Sequence, residues 1–319
     1  MKVVIDCDTG NDDAWAIISL LRAEHKCNYK VVGITNVHGN TAVNHSSLNT
    51  LLVLKTLDRP DIPVFKGATN SLIKNDQHYE PFHGADGFGM IYAAEEKPGK
   101  HLVQTKHAVL ALKDFIDENP EDITIIGLGP LTNIALLFKM FPEVKSKISQ
   151  LHLMGGNHLG IGNVSKSAEF NFWSDPEAAH IVFEEATCEI FIFPWEPCIA
   201  AGQGMNFEAW RMNVLASNKN RFTNLLDPIE IKAYRKVLVN WTPCDNFLAC
   251  CFIHPKLIKK MDKVHATVEL AGNHTRGQMV IDHLQKNPLN VHVIKEIDTE
   301  LFKKFMLWVC EHGEDKFVF

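Results

Sequence analysis

The stretch IDCDTGNDDAWAI near the start of the chain places four aspartates within eight positions. They are Asp6, Asp8, Asp12 and Asp13, and they lie between an apolar run and a helical pattern. Carboxylates this close together repel one another unless protons or a cation neutralise them. A hard divalent cation such as Ca²⁺ or Mg²⁺ takes oxygen ligands of this kind, so the stretch predicts a metal site. Helix capping by Asn11 or Asp12 is also expected, but it explains one aspartate, or two with the helix dipole, and not four.

The elements around this stretch follow a regular alternation. Short apolar runs alternate with helical patterns, which is typical of an α/β fold with an open, doubly wound, mostly parallel sheet flanked by helices. In such sheets ligands bind beyond the carboxyl ends of the strands, and the acidic stretch begins at one of these ends. The predicted strands are 3–6, 30–37, 62–67, 123–129, 150–156 and 188–194, with helices at 14–21, 43–57 and 108–115 between them.

Two segments interrupt the alternation, at residues 67–101 and 156–174. Long loops without a period inside a compact domain are usually functional or disordered. We interpret both as functional, because they hold His83, Asn163 and Glu169. The last third is predicted to be mostly helical, with helices at 206–218, 228–240, 245–254 and 300–310 and strands at 266–272 and 290–297.

The composition is that of an ordinary globular enzyme, with 319 residues of which 46% are hydrophobic and 22% charged. No linker-like stretch divides the chain, so we predict a single domain over residues 1–319. The net charge of −6 and the lack of an apolar run of about 18 residues indicate no nucleic-acid and no membrane partner. The eight cysteines include no CxxC pair and no secretory signal precedes the first strand, so we expect reduced thiols and a cytoplasmic protein.

Two known acidic motifs match the stretch only in part. An EF-hand loop beginning at Asp6 needs Gly where Asn11 stands and Glu where Ile17 stands, which excludes it. The strand-ending DxDxT motif of haloacid-dehalogenase-type phosphatases matches Asp6 and Asp8 but requires Thr where Gly10 stands. The later segment MGGN supplies neither the Lys nor the GDxxxD-like loop of that family. Because Asp6 and Asp8 match the motif, a Mg²⁺-dependent phosphatase with Asp6 as nucleophile nevertheless remains an alternative.

The acidic stretch closely resembles the signature DxDPGxDDAxA that opens the inosine-uridine nucleoside hydrolases. The resemblance continues in order through ITNVHGN, FHGADGFG, GLGPLTNIA, LMGGN, AEFNFWSDPEAA, CDNFLA and TRG, and it spans positions from about 3 to 277. One such segment would be weak evidence for the resemblance, whereas eight segments in the same order are specific to the family. The resemblance implies the fold of that family and the hydrolysis of the N-glycosidic bond of ribonucleosides to free base and ribose, with a bound Ca²⁺.

Carried over by position, the resemblance implies a metal site made by Asp8, Asp13, Asp245 and the backbone carbonyl of Leu128. Asp8 would also accept a proton from the attacking water as general base. Positive charge grows on the sugar during glycosidic cleavage, and a pocket lined by carboxylates suits it. Six further positions are implied to contact the ribose: Asp12, Asn40, Met154, Asn163, Glu169 and Asn171.

The group that assists the departing base is left open by the sequence. Many family members carry His directly before the last metal aspartate, where this chain has Cys244, and a thiol is a weaker hydrogen-bond donor than imidazole. A branch of the family has cysteine there. The candidates are therefore Cys244, His83 and Tyr234, or a base that departs with little help. Trp173 and Trp241 can stack on a base, although core packing is favoured for both.

The resemblance further implies a homodimer or homotetramer that acts on ribonucleosides. Purine, pyrimidine and nicotinamide ribosides all remain possible substrates. The non-enzymatic alternative is a ribose- or nucleoside-binding protein that kept the metal and lost turnover, as the cysteine at position 244 would allow. The presence of every candidate metal ligand, including Asp8, favours the enzyme.

Overall fold

The computed structural model describes residues 1–73, 82–93, 96–203, 207–234, 241–311 and 317–319. The strands in these residues are β1 (Lys2–Cys7), β2 (Lys30–Asn36), β3 (Val64–Lys66), β4 (Val103–Gln104), β5 (Ile123–Gly127), β6 (Gln150–Met154), β7 (Glu189–Phe193), β8 (Ile258–Val264), β9 (Ala266–Val268), β10 (Met279–Ile281) and β11 (Val291–Ile297). The α-helices are α1 (Asn11–Ala23), α2 (Val43–Thr56), α3 (Ala108–Glu118), α4 (Thr132–Met140), α5 (Phe170–Ser174), α6 (Pro176–Glu185), α7 (Trp195–Gln203), α8 (Phe207–Trp210), α9 (Arg221–Tyr234), α10 (Cys244–Ile253) and α11 (Thr299–Val309). Short 3₁₀ turns lie at Lys100–Leu102, Pro142–Lys147 and Pro255–Leu257, and a π-helical turn at Arg211–Leu215.

A nine-stranded sheet runs through the molecule in the order β4, β3, β2, β1, β5, β6, β7, β11, β8. Strand β8 pairs antiparallel with β11, and the other described pairings of this sheet are parallel. The chain proceeds outward from β1 to β4 on one side and then returns to build β5, β6 and β7 on the other. The prediction of a doubly wound, mostly parallel α/β sheet is confirmed, and its switch point lies beside β1.

Strand β1 lies inside the sheet, and its side chains pack into both helical layers. Val3, Ile5 and Cys7 pack into one helical layer and Val4 into the other, because successive side chains of a strand point to opposite faces. The first layer contains apolar residues of α1, α2, α9, α10 and α11, and the second contains those of α3, α4 and α6. Both faces of β1 are thereby buried, as expected for a central parallel strand.

Two predicted elements of the last third have different bounds. The helix predicted at 228–240 begins at Arg221, because the Asn220 side chain accepts hydrogen bonds from the amides of Phe222 and Thr223 and Pro228 lies inside the helix. Residues 235–240 lie outside the described residues. The strand predicted at 266–272 ends at Val268, where β9 pairs with β10 in a separate two-stranded sheet.

The helix predicted at 206–218 also differs, since the described part consists of α8 followed by the π-helical turn at Arg211–Leu215.

No helix among the described residues is both long enough and apolar enough to cross a bilayer.

Candidate active site

The acidic stretch lies in the turn from β1 into α1, at the carboxyl edge of the sheet. Gly10, and not Asn11 or Asp12, is the N-cap residue, so the capping prediction was wrong. Gly10 has extended backbone angles, and its amide donates to Asp13 Oδ2 at 2.8 Å from the first turn of the helix. The capping interaction therefore comes from an aspartate inside the helix, which leaves Asp8 and Asp12 free of a capping role.

Three carboxylates form a compact group. Asp12, Asp13 and Asp245 each place an oxygen within 4.8 Å of the others, which is a spacing that could hold a metal ion. Asp12 and Asp13 come from α1, whereas Asp245 is the second residue of α10, so α1 and α10 bring together residues more than 200 positions apart. Asp8 stands beside this group and is linked to it by Asn40, whose Nδ2 donates to Asp8 Oδ1 at 3.2 Å and to Asp13 Oδ2 at 3.3 Å.

The electrostatics of the group favour a cation. Burial, followed by repulsion from neighbouring aspartates, raises the pKa of Asp8 and of Asp245 well above the ordinary value. The same causes raise the pKa of Asp13 to about 7. Among the described residues, Asp12 Oδ1 and Asp13 Oδ1 are buried without a hydrogen-bond partner. Buried acceptors that lack a donor suit a metal ligand role, so these residues fit a hard divalent ion.

Asp8 is held between two stretches of backbone. The Asn40 amide donates to Asp8 Oδ2 at 2.5 Å. A Cβ atom added to Gly39 would lie 2.0 Å from Asp8 Oδ2, and one added to Gly129 would lie 3.0 Å from Asp8 Oδ1. Only glycine at position 39 lets the loop after β2 approach the carboxylate this closely.

Asp6 belongs to strand β1 and lies two residues before Asp8. Its carboxylate is fully buried, and Oδ1 accepts hydrogen bonds from Thr35 Oγ1 at 2.6 Å and from Asn133 Nδ2 at 2.7 Å. Burial raises the pKa of Asp6 to about 6. These two hydrogen bonds hold the carboxylate in place, which fits a supporting role for Asp6.

Three of the expected ribose contacts, Met154, Glu169 and Asn171, lie together at the ends of β5 and β6. Asn171 Nδ2 donates to the Leu128 carbonyl at 2.9 Å and to the Met154 carbonyl at 3.1 Å. Glu169 is the N-cap of α5, and its carboxylate accepts from the amides of Asn171 and Gly156 at 2.9 and 2.8 Å. Burial raises the pKa of Glu169 to about 7. The Leu128 carbonyl, implied as a metal ligand, thus has Asn171 as its partner here.

The other two expected substrate contacts are Asn163 and Tyr234. Asn163 is exposed, and its backbone amide donates to the Ala168 carbonyl at 3.3 Å. Tyr234 is the last described residue of α9, and its side chain lies outside the described structure.

Two candidates for assisting the departing base, His83 and Cys244, lie near the acidic group. His83 Nε2 lies 3.7 Å from Asp12 Oδ1, and the Asn11 amide faces His83 Nδ1 at 3.5 Å. Burial lowers the pKa of His83 below its ordinary value, although the charge of Asp12 acts in the opposite direction, so the neutral ring is favoured. Because Nδ1 faces a donor, the ring proton belongs on Nε2.

The thiol of Cys244 is accompanied by a second thiol that sequence reasoning missed. Cys244 is the first residue of α10, and its Sγ lies 3.4 Å from the Thr242 carbonyl. Cys198, from α7, lies within hydrogen-bonding reach of it. Burial raises the pKa of both thiols, so both stay protonated. No motif in the sequence around Cys198 could have signalled this position.

The two tryptophans considered for base stacking are buried. Trp241 is 1% exposed, and its Nε1 donates to Glu230 Oε1 at 2.9 Å. Trp15 Nε1 donates to the same oxygen at 2.8 Å. Trp173 is 8% exposed and packs near Phe170, with ring centroids 6.2 Å apart. Trp241 is therefore a core residue, in agreement with the favoured interpretation.

Comparison with known proteins decides the family. Residues 3–304 match the family model described as inosine-uridine preferring nucleoside hydrolase. The chain belongs to this nucleoside hydrolase family. The predicted family, enzyme class and family-level activity on ribonucleosides are thereby confirmed, and the phosphatase alternative falls.

Relatives and solved structures agree with this assignment. The pyrimidine-specific ribonucleoside hydrolase RihA of Salmonella schwarzengrund is 30% identical over 95% of this chain and 96% of its own length. The probable uridine nucleosidase 2 of Oryza sativa subsp. japonica is 38% identical over 57% of this chain and 53% of its own length. The solved structure of an inosine-guanosine nucleoside hydrolase has a TM-score of 0.86 and 28% identity, covering 97% of this chain and 98% of its own.

Proposed function

We propose that this nucleoside hydrolase is a Ca²⁺-dependent enzyme whose residues 1–319 form one domain. Asp8, Asp13, Asp245 and the Leu128 carbonyl would hold the ion. The observation that carries the proposal is the buried acidic group, in which Asp12 Oδ1 and Asp13 Oδ1 have no hydrogen-bond partner among the described residues. A mixture of carboxylates and a backbone carbonyl is a donor set typical of Ca²⁺, whereas Mg²⁺ prefers to keep most of its water.

Asp8 is the general base of the proposed reaction. Bound at this site, Ca²⁺ supplies positive charge that makes a neighbouring water easier to deprotonate. The water oxygen attacks the anomeric carbon, and its proton passes to the Asp8 carboxylate. The C–N bond to the base breaks, and its electron pair leaves with the base nitrogen. Asn40 fixes both Asp8 oxygens by its amide and its side chain, which orients the carboxylate for this role.

In this proposal the ribose lies between the acidic group and the side chains at the ends of β5 and β6. Asp12 and Asn40 bind ribose hydroxyls near the metal, while Glu169, Asn171 and Asn163 bind hydroxyls at the far end of the sugar. Met154 packs against the sugar face. Carboxylates on both sides also stabilise the positive charge that grows on the ribose, and one such group is worth about 2 to 4 kcal/mol when it acts mainly on the transition state.

His83 assists the departing base in this proposal. Its Nε2–H donates a hydrogen bond to the base nitrogen that receives the electron pair, and the base takes its proton from solvent. Cys244 and Tyr234 contact the base, and the protonated Cys244 thiol adds a weak donor. The His83 ring near Asp12 supports this assignment, because the ribose and the base must meet close to Asp12.

The substrate class is ribonucleosides with a purine or a pyrimidine base. The RihA relative is named for pyrimidines and the structural neighbour for inosine and guanosine, so both base classes belong in the test. We further propose a cytoplasmic homodimer or homotetramer.

Release of free ribose tests the function. Wild type and Asp8→Asn are incubated with inosine, uridine, adenosine, cytidine or nicotinamide riboside, with Ca²⁺ and without phosphate. We expect ribose from at least one nucleoside in the wild type and a loss of at least about 100-fold in Asp8→Asn. Asp114→Asn, a change at an exposed aspartate, is the matched control and should keep full activity.

The non-enzymatic alternative is decided by the same assay. Tight binding of a nucleoside by the metal-loaded wild type, without release of ribose from any member of the panel, would indicate a nucleoside-binding protein and would overturn the proposed reaction.

A further inference from the structure

A buried ammonium group lies outside the acidic site. Lys97 has a side-chain exposure of 4%, and its Nζ donates to Asp86 Oδ2 at 3.0 Å and to Asn49 Oδ1 at 2.8 Å. Burying a charge is costly unless it is paired and hydrogen-bonded. The reaction proposed above does not use this ion pair, so its position calls for another explanation.

Asp86 organises the segment that carries His83, residues 82–93, which we call the His83 loop. Asp86 Oδ1 accepts from the amides of Phe88 at 2.9 Å and Met90 at 2.8 Å. The Gly89 amide donates to the His83 carbonyl at 2.7 Å, which closes the turn. With Oδ2 on Lys97, every oxygen of this carboxylate is engaged in folding the loop or anchoring it.

Asn49 of α2 joins the His83 loop to the acidic stretch. Its Nδ2 donates to the Asp86 carbonyl at 2.8 Å and to the carbonyl of Thr9 at 3.1 Å, and Thr9 lies directly after Asp8. Gly87 packs into this junction, where an added Cβ would lie 3.0 Å from Asn49 Nδ2 and 3.1 Å from the Thr9 carbonyl. Gly87 has a φ of +79°, so the turn suits glycine on conformational grounds as well.

The same loop determines where the His83 ring lies. A Cβ added to Gly10 would be 3.1 Å from His83 Nδ1, so the ring rests on the N-terminus of α1. Thr41 Oγ1 donates to the Ala85 carbonyl at 2.8 Å, a second anchor two residues from His83. The polar contacts of the ring itself are long, at 3.5 Å to the Asn11 amide and 3.7 Å to Asp12 Oδ1. The backbone of the loop therefore sets the position of the ring.

We propose that Lys97, Asp86 and Asn49 form a latch that positions His83 against the departing base, with Lys97 as a positioning residue of the hydrolysis. This inference rests on the role proposed for His83. Lys97 does not contact the reacting atoms. It neutralises Asp86 and ties the loop to α2, so that Nε2–H of His83 reaches the nitrogen that receives the electron pair of the broken C–N bond.

The dependence of the rate on the leaving group tests the latch. Inosine and uridine need help to release the base, whereas 4-nitrophenyl β-D-riboside releases a stable phenolate without help. We expect Lys97→Met to lower kcat/KM for the nucleosides by about 10- to 100-fold and for the nitrophenyl riboside by less than about 3-fold. Lys106→Met, at an exposed lysine paired with Asp114, is the matched control and should change neither value.

A double variant shows whether Lys97 acts through His83. We expect His83→Ala to reduce nucleoside hydrolysis with the same leaving-group pattern, and Lys97→Met combined with His83→Ala to be no slower than His83→Ala alone. Asp86→Asn, which keeps the shape of the side chain, should reproduce the pattern of Lys97→Met, and it serves in its place if that variant does not fold.

The outcomes separate the latch from the reaction. A selective loss in His83→Ala, with a uniform loss for both substrates in Lys97→Met and Asp86→Asn, would overturn the latch and leave the role of His83 standing. An unselective effect of His83→Ala would overturn the role of His83 and the latch together, while release of ribose that depends on Asp8 would still support the hydrolase.

Discussion

Asp245 is expected to lower the folding stability of the metal-free protein while it contributes to metal binding. It is buried beside Asp12, Asp13 and Asp8, which raises its pKa. We therefore expect Asp245→Asn to be more stable than the wild type by about 1 kcal/mol or more at pH 8 in the presence of a chelator, because one repulsive charge is gone. Denaturant unfolding measures this difference, with Asp114→Asn as the surface control.

The same variant should bind the metal poorly. At an effective dielectric constant of about 20, which describes buried protein sites as well, two unit charges about 4 Å apart interact by about 4 kcal/mol. We therefore expect the Ca²⁺ affinity of Asp245→Asn to fall by at least about 100-fold. Calorimetry on the metal-stripped protein gives the affinity. Equal affinity in the two proteins, or a variant less stable than the wild type in chelator, would contradict the role given to Asp245.

Glu169 gives the site a pH dependence of its own. Burial raises its pKa from the ordinary 4.5 to about 7 in the folded protein. Its contribution to stability is therefore complete below about pH 4.5 and is lost as the pH rises through about 7. One pKa unit corresponds to about 1.4 kcal/mol, so the loss amounts to about 3 kcal/mol by pH 8 and above.

The variant Glu169→Gln isolates this effect. Between pH 4.5 and 8, the unfolding free energy of the metal-free wild type should fall by about 3 kcal/mol more than that of Glu169→Gln. Parallel pH profiles for the two proteins would show that Glu169 is ionised at its ordinary pKa in the fold.

At the scale of residues, the sequence predicted those features of the site that come from charged residues close together in the chain. Four aspartates between a strand and a helix indicated a metal site, and the fold brings two of them together with Asp245. The lysine of the latch had no such signal, because Lys97 and Asn49 are ordinary polar residues until folding buries them against Asp86. Polar contacts between residues far apart in the chain cannot be predicted from the spacing of residues in the sequence.

The elements contribute to the site mainly through their ends. The loop after β2 reaches Asp8 because Gly39 has no side chain, and an added Cβ would lie 2.0 Å from Asp8 Oδ2. We expect Gly39→Ala to displace either the loop or the carboxylate, to lower stability by about 2 to 4 kcal/mol and to abolish ribose release. Thermal unfolding and the ribose assay measure both effects.

Gly89→Ala is the matched control for backbone strain. Gly89 has a φ of +64°, but an added Cβ would meet its nearest neighbour at 3.6 Å, so only the conformational cost of about 1 kcal/mol applies. A similar loss of stability in Gly39→Ala and Gly89→Ala would mean that contact with Asp8 does not require glycine at position 39.

Regular patterns predicted the elements that pack against both faces of the sheet. The helix begun by Ala14, Ile17 and Ile18 is α1, whose apolar positions are fully buried as their spacing indicated. Strand β8 was missed because its residues at the sheet edge are exposed or partly exposed, which weakens the alternation of apolar and polar residues. Helix α9 was misplaced because Pro228 looks like a helix start, whereas Asn220 is the residue whose side chain caps the first amides.

At the scale of the molecule, the acidic group joins two parts of the chain that are far apart in sequence. Asp12 and Asp13 come from the first helix, and Asp245 comes from the tenth. An ion bound by both halves stabilises only the fully folded chain, so we expect a single unfolding transition that Ca²⁺ shifts to higher temperature. At a free Ca²⁺ concentration 100 times Kd, the gain should be about 2.7 kcal/mol.

Scanning calorimetry with and without Ca²⁺ tests this expectation. Asp114→Asn should show the full shift and Asp245→Asn little of it. Two separate transitions, of which Ca²⁺ moves only one, would contradict the single domain proposed for residues 1–319.

The metal requirement of catalysis tests the central claim most directly. The protein is stripped with a chelator, Ca²⁺ is added back stepwise, and bound metal and ribose release are measured in the same samples. We predict that ribose release is absent from the stripped protein and rises in proportion to bound metal, reaching its maximum at one Ca²⁺ per chain. Full activity in the stripped protein, or saturation of the site without recovery of activity, would contradict the claim that the buried carboxylates hold the ion on which hydrolysis depends.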